Sequence, residues 1–222
     1  AELRETLFQE MRGRIKEDDS SVPSIDGPYA YYTFHRTGGE YGVLARKPAE
    51  SAFDDSVEPE ILFDGDAEGE GLAYFDTGEI QHSPNHELLA SAVDDKGSEI
   101  YTIKVRNLET GEELSDVIES TTGDFVWGAN SDVIFWVKRD DNGRPSAVYQ
   151  RILGSGEDKL IYEEPDPGFF VNIDYSGSDD YILIQTGGHT TSEVYYFDAG
   201  AKDPELTLIA EREEDVQYSV VD

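Results

Sequence analysis

One tripeptide in the chain is typical of catalysis by carboxylates. Asp76-Thr77-Gly78 is the motif of aspartic proteases. Their chemistry requires two carboxylates that share one proton, whereas this chain has a single copy, followed by a further charge at Glu79. We therefore interpret the tripeptide as an ordinary Asp-Gly turn.

An acidic stretch matches the start of a calcium-binding loop, with oxygen-bearing or glycine residues at Asp64, Asp66, Glu68 and Gly69. The twelfth position of such a loop must supply a bidentate Glu. Here that position is Phe75. The stretch is therefore interpreted as a solvated acidic linker, and no calcium site is predicted.

Two of the four histidines are close in sequence. His82 and His86 are four residues apart, a spacing that on a helix would let both bind one metal ion. Ser83-Pro84-Asn85 predicts a turn between them, so we expect two surface histidines. His35 and His189 are isolated in sequence, and no metal site is predicted.

Nucleophilic catalysis by serine would require an exposed Ser, typically within a Gly-x-Ser-x-Gly pentapeptide. The sequence contains no such pentapeptide, and Ser98, Ser155 and Ser178 lie in predicted turns. A phosphate-binding loop and a dinucleotide fingerprint are also missing from the sequence. We predict that the chain has no catalytic residues and binds no cofactor.

The composition is strongly acidic, with 49 acidic and 17 basic residues giving a net charge of −32. Such a surface repels phosphates, which argues against nucleic-acid binding. Two interpretations stay open, and they are compatible. The acidity keeps the surface solvated, or it attracts basic ligands.

Cysteine content and hydropathy bear on where the protein acts. The chain has no cysteine, which fits a reducing compartment. No stretch of eighteen apolar residues predicts a membrane span, and the first residues lack the charged-then-apolar pattern of a secretion signal. We expect a cytoplasmic protein that does not contact a membrane.

The elements that would position these residues repeat along the chain. Ile80, Val126, Val171 and Val216, spaced by 46, 45 and 45 residues, open apolar segments that lead to turns. A second strand follows each of the first three turns, then a third strand containing a tyrosine (Tyr101, Tyr149, Tyr195), and then a short fourth strand. Four strands per repeat of about 45 residues is typical of a β-propeller blade.

The predicted fold is therefore all-β, a partial β-propeller of about four four-stranded blades with a short N-terminal α-helix. Residues 1–22 form the amphipathic helix and linker, with an apolar stripe of Leu3, Leu7, Met11 and Ile15. The incomplete propeller spans 23–222, with blades at about 28–72, 73–120, 124–166 and 169–212 and the start of a further blade at 215–222. Open sheet edges make a dimer through edge strands plausible.

Six stretches, in order along nearly the whole chain, match one family of enzymes. The sequence resembles the propeller part of oligopeptidase B (protease II), in the prolyl oligopeptidase family of serine peptidases. The matching stretches are 10–23, 31–33, 106–111, 159–164, 169–171 and 190–194.

The resemblance implies an enzyme with two domains. An α/β-hydrolase domain carries the catalytic Ser, Asp and His, and a seven-bladed propeller covers that site and admits only short peptides. The family cleaves after Arg or Lys, so the implied substrates are short basic peptides. The implied partner is the hydrolase domain of the same parent chain, against which the segment leading into the N-terminal helix would pack.

None of the matched positions belongs to the catalytic triad, so the resemblance implies that this chain alone is inactive and gates substrates for its parent. The alternative is a stand-alone propeller that binds a partner as a scaffold, without enzymatic activity. The reading frame after Asp222 distinguishes them, because a Gly-x-Ser-x-Gly motif there favours the peptidase.

Overall fold

The computed structural model describes residues 2–220, most of which lie in strands or in the turns between them. Contacts along the chain divide it into a first unit that ends at Leu72 and a second unit that begins at Ala73. The prediction of an all-β fold with one short N-terminal helix and blade-like sheets is confirmed.

The first unit contains one four-stranded antiparallel sheet in the order β1-β2-β3-β4. Its elements are helix α1 (Glu2–Arg12), strands β1 (Ser24–Asp26), β2 (Tyr29–His35), β3 (Gly42–Pro48) and β4 (Glu60–Asp64), a single 3-10 turn (Ala49–Ser51) and the short helix α2 (Gly65–Glu68). The first blade therefore starts earlier than residue 28, because β1 pairs with β2 across a tight turn at Gly27.

Helix α1 is shorter than its apolar pattern predicts. It ends at Arg12, before Gly13, and therefore does not include Ile15. Glycine weakens a helix because its backbone loses the most freedom on ordering. No residue of α1 is buried, and Leu3 and Met11 are 71% and 68% exposed. The apolar stripe is therefore available to a partner.

Residues 73–220 of the second unit contain eleven strands, each antiparallel to its neighbours in the sheet. They are β5 (Asp76–His82), β6 (Leu88–Asp94), β7 (Tyr101–Asn107), β8 (Glu113–Trp127), β9 (Val133–Arg139), β10 (Pro145–Ile152), β11 (Asp158–Glu163), β12 (Phe170–Tyr175), β13 (Tyr181–Gly187), β14 (Ser192–Asp198) and β15 (Thr207–Ala210). Strands β5–β11 form one sheet in sequence order, and β12–β15 form another.

Strand β8 serves two blades. Its first part pairs with β7 as the outer strand of the second blade, and its last part pairs with β9 as the first strand of the third blade. Thr121 pairs with both Tyr101 and Lys138. Positive φ angles at Ser120 (63°) and Gly123 (98°) bend the strand there. Two blades that read as separate in sequence therefore share one continuous sheet.

The turns between first and second strands fix the true repeat. The residue that opens each turn donates its backbone N–H to the carbonyl that starts the next strand, in the pairs Ser83–Leu88, Gly128–Val133 and Ser176–Tyr181. The fourth residue of each turn is left-handed, namely His86 (64°), Ser131 (61°) and Asp179 (61°). By this register Phe125 and Ile173 are the equivalents of Ile80, so aligning Val126 and Val171 with it was wrong by one and two residues.

The two apolar cores of the second unit lie between adjacent blades. One joins the second and third blades around Phe125, Trp127 and Trp136, and the other joins the third and fourth around Phe135 and Phe197. All five residues of 133–137 are buried. A strand covered on both faces must be apolar throughout, which explains this uninterrupted run.

The predicted start of a further blade lies partly outside the described residues, because 221 and 222 fall there. Residues 216–220 form no strand. The carbonyl of Val216 accepts the N–H of Ser192, and Tyr218 donates its backbone N–H to the Ser192 hydroxyl. The segment thus runs along the start of β14. Among residues 2–220, no helix has the length and apolarity needed to cross a membrane.

Candidate functional site

The first strands of three successive blades, β5, the last part of β8, and β12, are tied together at Trp127. Its indole Nε1–H donates to the carbonyl of Gln81 on β5 at 3.1 Å. Its backbone N–H donates to the Tyr175 hydroxyl at the end of β12 (2.7 Å), and that hydroxyl donates back to the Trp127 carbonyl (2.9 Å). Trp127 is fully buried. These bonds hold the three strands in one fixed arrangement.

The Asp76-Thr77-Gly78 motif belongs to this packing. An added Cβ at Gly78 would lie 2.7 Å from the backbone of Gly123, so only glycine lets the two strands approach this closely. The Asp76 carboxylate accepts the hydroxyl of Tyr101 at 2.6 Å. Burial, then the hydrogen bond to this carboxylate, raises the pKa of Tyr101. The motif is part of a strand, not the turn that the sequence suggested.

The solvent-exposed side chains of these first strands are mainly polar or acidic. On β12, Asn172 and Asp174 are exposed and alternate with the buried Val171 and Ile173. Glu79 is exposed on β5. Because β5 and β12 each lie at the edge of a sheet, they also present backbone groups on one side.

A buried ion cluster joins the third and fourth blades. The Glu164 side chain is fully buried, and its Oε2 accepts hydrogen bonds from Arg212 (2.8 Å), Thr186 (2.7 Å) and Tyr162 (2.7 Å). Burial raises the pKa of Glu164, but these donors and the backbone N–H of Asp166 outweigh it and lower the value to about 2. The carboxylate therefore stays charged in the core.

Arg212 completes the cluster. Its guanidinium also donates to the Glu193 carboxylate at 2.9 Å and lies over the Phe169 ring, 4.1 Å from its centroid. The hydrogen bond to Glu164 raises the pKa of Arg212 despite partial burial. Three of the stretches behind the family resemblance, 159–164, 169–171 and 190–194, border this one arginine.

Arg144 holds the same junction from the other side. Its Nη1 donates to the carbonyls of Asp166 and Phe169, both at 2.7 Å, and its Nη2 donates to the carbonyl of Glu164 at 3.2 Å. Its Nε donates to Asp140 at 3.0 Å. The link between β11 and β12 is therefore fixed by two arginines.

The acidic stretch after β4 has a structural role that the sequence did not reveal. The Asp64 carboxylate accepts a hydrogen bond from the Arg36 guanidinium at 2.8 Å. It also accepts the backbone N–H of Ala67 and so caps α2. The hydrogen bond from Arg36 lowers the pKa of Asp64 despite partial desolvation. Asp66 accepts the backbone N–H groups of Glu40 and Tyr41. These two carboxylates are not part of a solvated linker. Glu68 ends α2, Gly69 follows it, and Phe75 is buried.

The candidate serines and histidines lie in turns or at strand ends. The hydroxyls of Ser98, Ser155 and Ser178 bond to Asp94, to the Ile152 carbonyl and to Ser176 respectively. His35 is the last residue of β2. The backbone carbonyl of His189 accepts a hydrogen bond from the side-chain amide of Gln217. The turn 83–85 does not separate His82 from His86, because their ring centroids lie 5.1 Å apart.

Comparison with known proteins identifies the family. Residues 1–222 match the prolyl oligopeptidase N-terminal beta-propeller domain. Dipeptidyl aminopeptidase BI of Pseudoxanthomonas mexicana is 34% identical over 97% of the chain, and Protease 2 of Moraxella lacunata is 30% identical over 99%. Oligopeptidase B from Leishmania major superimposes with a TM-score of 0.93 over 100% of the chain at 30% identity.

In each of these three comparisons the chain spans 32% of the other protein's length. The match to the family covers all of this chain, and the blade-like sheets and short N-terminal helix agree with it. The chain belongs to the family of N-terminal β-propeller domains of the prolyl oligopeptidases.

Proposed function

We propose that this chain is the substrate-gating part of an oligopeptidase B-like serine peptidase that cleaves short peptides after Arg or Lys. The observation that carries the proposal is the family match over residues 1–222, combined with relatives about three times as long. The catalytic Ser, Asp and His would lie in an α/β-hydrolase domain of the parent chain. This chain alone would be inactive.

The rigidity of the second unit supports a role as a size filter. A size filter excludes folded substrates only if its blades stay packed together when such a substrate binds. The ties from Trp127 to β5 and β12 and the two arginines between the third and fourth blades supply that stiffness. An extended peptide needs little room, whereas a folded domain would have to part the blades.

The charge of the chain supports a preference for basic substrates. A net charge of −32 raises the local concentration of cationic peptides and speeds their association. The exposed carboxylates of the first strands, Glu79 and Asp174, are the groups we assign to this attraction. The exposed apolar stripe of α1 is assigned to contact with the hydrolase domain, since burial there would remove Leu3 and Met11 from water.

Activity measurements test the division of labour. The purified chain should not hydrolyse a reporter peptide ending in Arg, and the full-length parent should. The filter is tested with one Arg-containing sequence, offered to the parent as a free peptide and as a loop of a folded carrier. The free peptide should be cleaved and the loop spared. Equal cleavage of both, or turnover by the chain alone that a serine-directed inhibitor blocks, would contradict the proposal.

Neutralising these two carboxylates in the full-length parent tests the proposed attraction. Glu79→Gln combined with Asp174→Asn should lower kcat/KM for a basic peptide a few-fold, leave kcat unchanged and weaken the dependence on salt. Glu157→Gln combined with Glu163→Gln is the matched control, because it removes two exposed carboxylates at the outer strand β11 and just before it. A loss of equal size in the control would show that the effect is one of total charge.

A further inference from the structure

Two imidazole rings meet at the turn between β5 and β6. His82 is the last residue of β5, and His86 is the fourth residue of the turn that follows. Their ring centroids lie 5.1 Å apart, and both side chains are half-buried. A nitrogen of one ring lies within 4.8 Å of a nitrogen of the other. The pair lies beside the tie from Trp127 to the Gln81 carbonyl, but neither ring takes part in that tie.

The backbone that carries the pair is well fixed. Ser83 is fully buried, and its hydroxyl accepts the N–H of Leu88 (3.0 Å) and donates to Asn85 (2.6 Å). The N–H of Asn85 donates to the Ser131 hydroxyl of the third blade at 3.0 Å. His86 has a φ of 64°. The turn therefore fixes the two backbone positions from which the rings extend.

The contact made by His82 selects the tautomer that suits a metal ligand. Its Nδ1 lies 3.0 Å from the Ser83 carbonyl oxygen. A carbonyl only accepts hydrogen bonds, so Nδ1 carries the proton and the neutral ring presents the lone pair of Nε2. Such a second hydrogen bond is the usual way in which a protein orients a metal-binding histidine.

We propose that His82 and His86 bind one divalent transition-metal ion, of the class that prefers imidazole nitrogen: zinc, copper or nickel. Two nitrogens bound tetrahedrally at zinc distances lie about 3.4 Å apart. Rotation about the side-chain bonds changes the distance between the two nitrogens while the backbone of the turn stays in place. The bound ion ties the end of β5 to the turn that precedes β6, and the acidity of the chain raises the local concentration of the cation.

Calorimetric titration of the chelator-treated chain with Zn²⁺ tests the site. Excess Mg²⁺ is present throughout, because this hard cation competes for carboxylates but not for imidazole. We expect one Zn²⁺ per chain with micromolar affinity. His82→Gln and His86→Asn should each weaken binding by at least about tenfold, which is 1.4 kcal/mol. Asn is chosen at position 86 because it tolerates a left-handed backbone. The His189→Gln variant changes an isolated histidine and should bind Zn²⁺ with the same affinity as the unsubstituted chain.

Zinc uptake that vanishes in Mg²⁺, or that is unchanged in both variants, would overturn the proposal. Circular dichroism establishes that each variant is folded. A second measurement uses the unsubstituted chain. Substoichiometric Cu²⁺ should broaden the imidazole NMR signals of His82 and His86 before those of the other two histidines. Broadening of His35 and His189 at the same copper concentration would equally overturn the site.

Discussion

Replacing Arg212 by Met tests whether the ion cluster holds the third and fourth blades together. Methionine retains an apolar chain of similar length over the Phe169 ring but has no charge and no donors. The change leaves the Glu164 carboxylate, whose side chain is fully buried, without its cation. Glu193 loses the same partner. The expected result is a less stable second unit.

The size of the loss follows from the burial of the pair. Removing one partner of a fully buried pair costs about 3–5 kcal/mol. The Arg212 side chain is 28% exposed, so we expect the lower end, about 3 kcal/mol. The lowered pKa of Glu164 points in the same direction, because the hydrogen bond from Arg212 is the largest of the contacts that lower it. For 150–250 residues a loss of about 3 kcal/mol lowers Tm by roughly 6–12 °C.

Thermal unfolding at pH 7, followed by calorimetry and circular dichroism, measures this loss. Lys159→Met is the matched control, because Lys159 pairs with Asp203 on the surface and should cost less than about 1 kcal/mol. Adding Glu164→Gln to Arg212→Met should restore part of the stability, since it removes the unpaired charge. If the Tm of the Arg212→Met variant lies within about 2 °C of that of the unsubstituted chain, the ion cluster does not hold the two blades together in the way described.

Acidification gives the same cluster a second signature. The pKa of Glu164 is lower in the folded state, so its stabilisation is present above about 4.5 and is lost as pH falls toward 2. Arg212 supplies much of that lowering. The unsubstituted chain should therefore have a higher Tm than the Arg212→Met variant at pH 7. The difference between the two Tm values should become smaller as the pH falls from 4.5 to 2. A gap that is independent of pH would show that Arg212 stabilises through packing alone.

Two further substitutions test the ties between first strands. Gly78→Ala should destabilise the second unit by about 1–3 kcal/mol, because the added Cβ meets backbone 2.7 Å away, whereas Gly187→Ala has open space and should be nearly neutral. Tyr175→Phe leaves two buried backbone groups of Trp127 without their partner and should cost about 1–3 kcal/mol in urea unfolding, while the exposed Tyr181→Phe should cost little. Equal losses in either pair would contradict the packing described.

The repeat was predictable because its signals are local. Alternation of apolar and polar residues, glycine at turns and the spacing of the third-strand tyrosines indicate antiparallel blades without any long-range contact. Tyr149 and Tyr195 do occupy equivalent places, opposite Trp136 and Ile184. Tyr101 also lies in a third strand, but nearer its beginning. The tyrosines therefore identified the three third strands correctly. They did not all occupy the same position within those strands.

The parts that could not be predicted depend on contacts distant in sequence. The bend that lets β8 serve two blades requires a left-handed Ser120, a conformation that a sequence pattern does not signal. Arg212 lies in an irregular segment, 48 residues after Glu164. Charged residues in so acidic a chain are expected at the surface, and nothing in the order of residues singles out this arginine for the interior.

Three of the six stretches that carry the family resemblance act in the architecture of the second unit. Tyr162, Glu164 and Glu193 belong to two of these stretches, and all three side chains take part in the cluster around Arg212. What relates the chain to the family there is the junction between two blades. The proposed filter would work through its dimensions, and such junctions set those dimensions. The most direct way to alter the proposed filtering is therefore to loosen a junction.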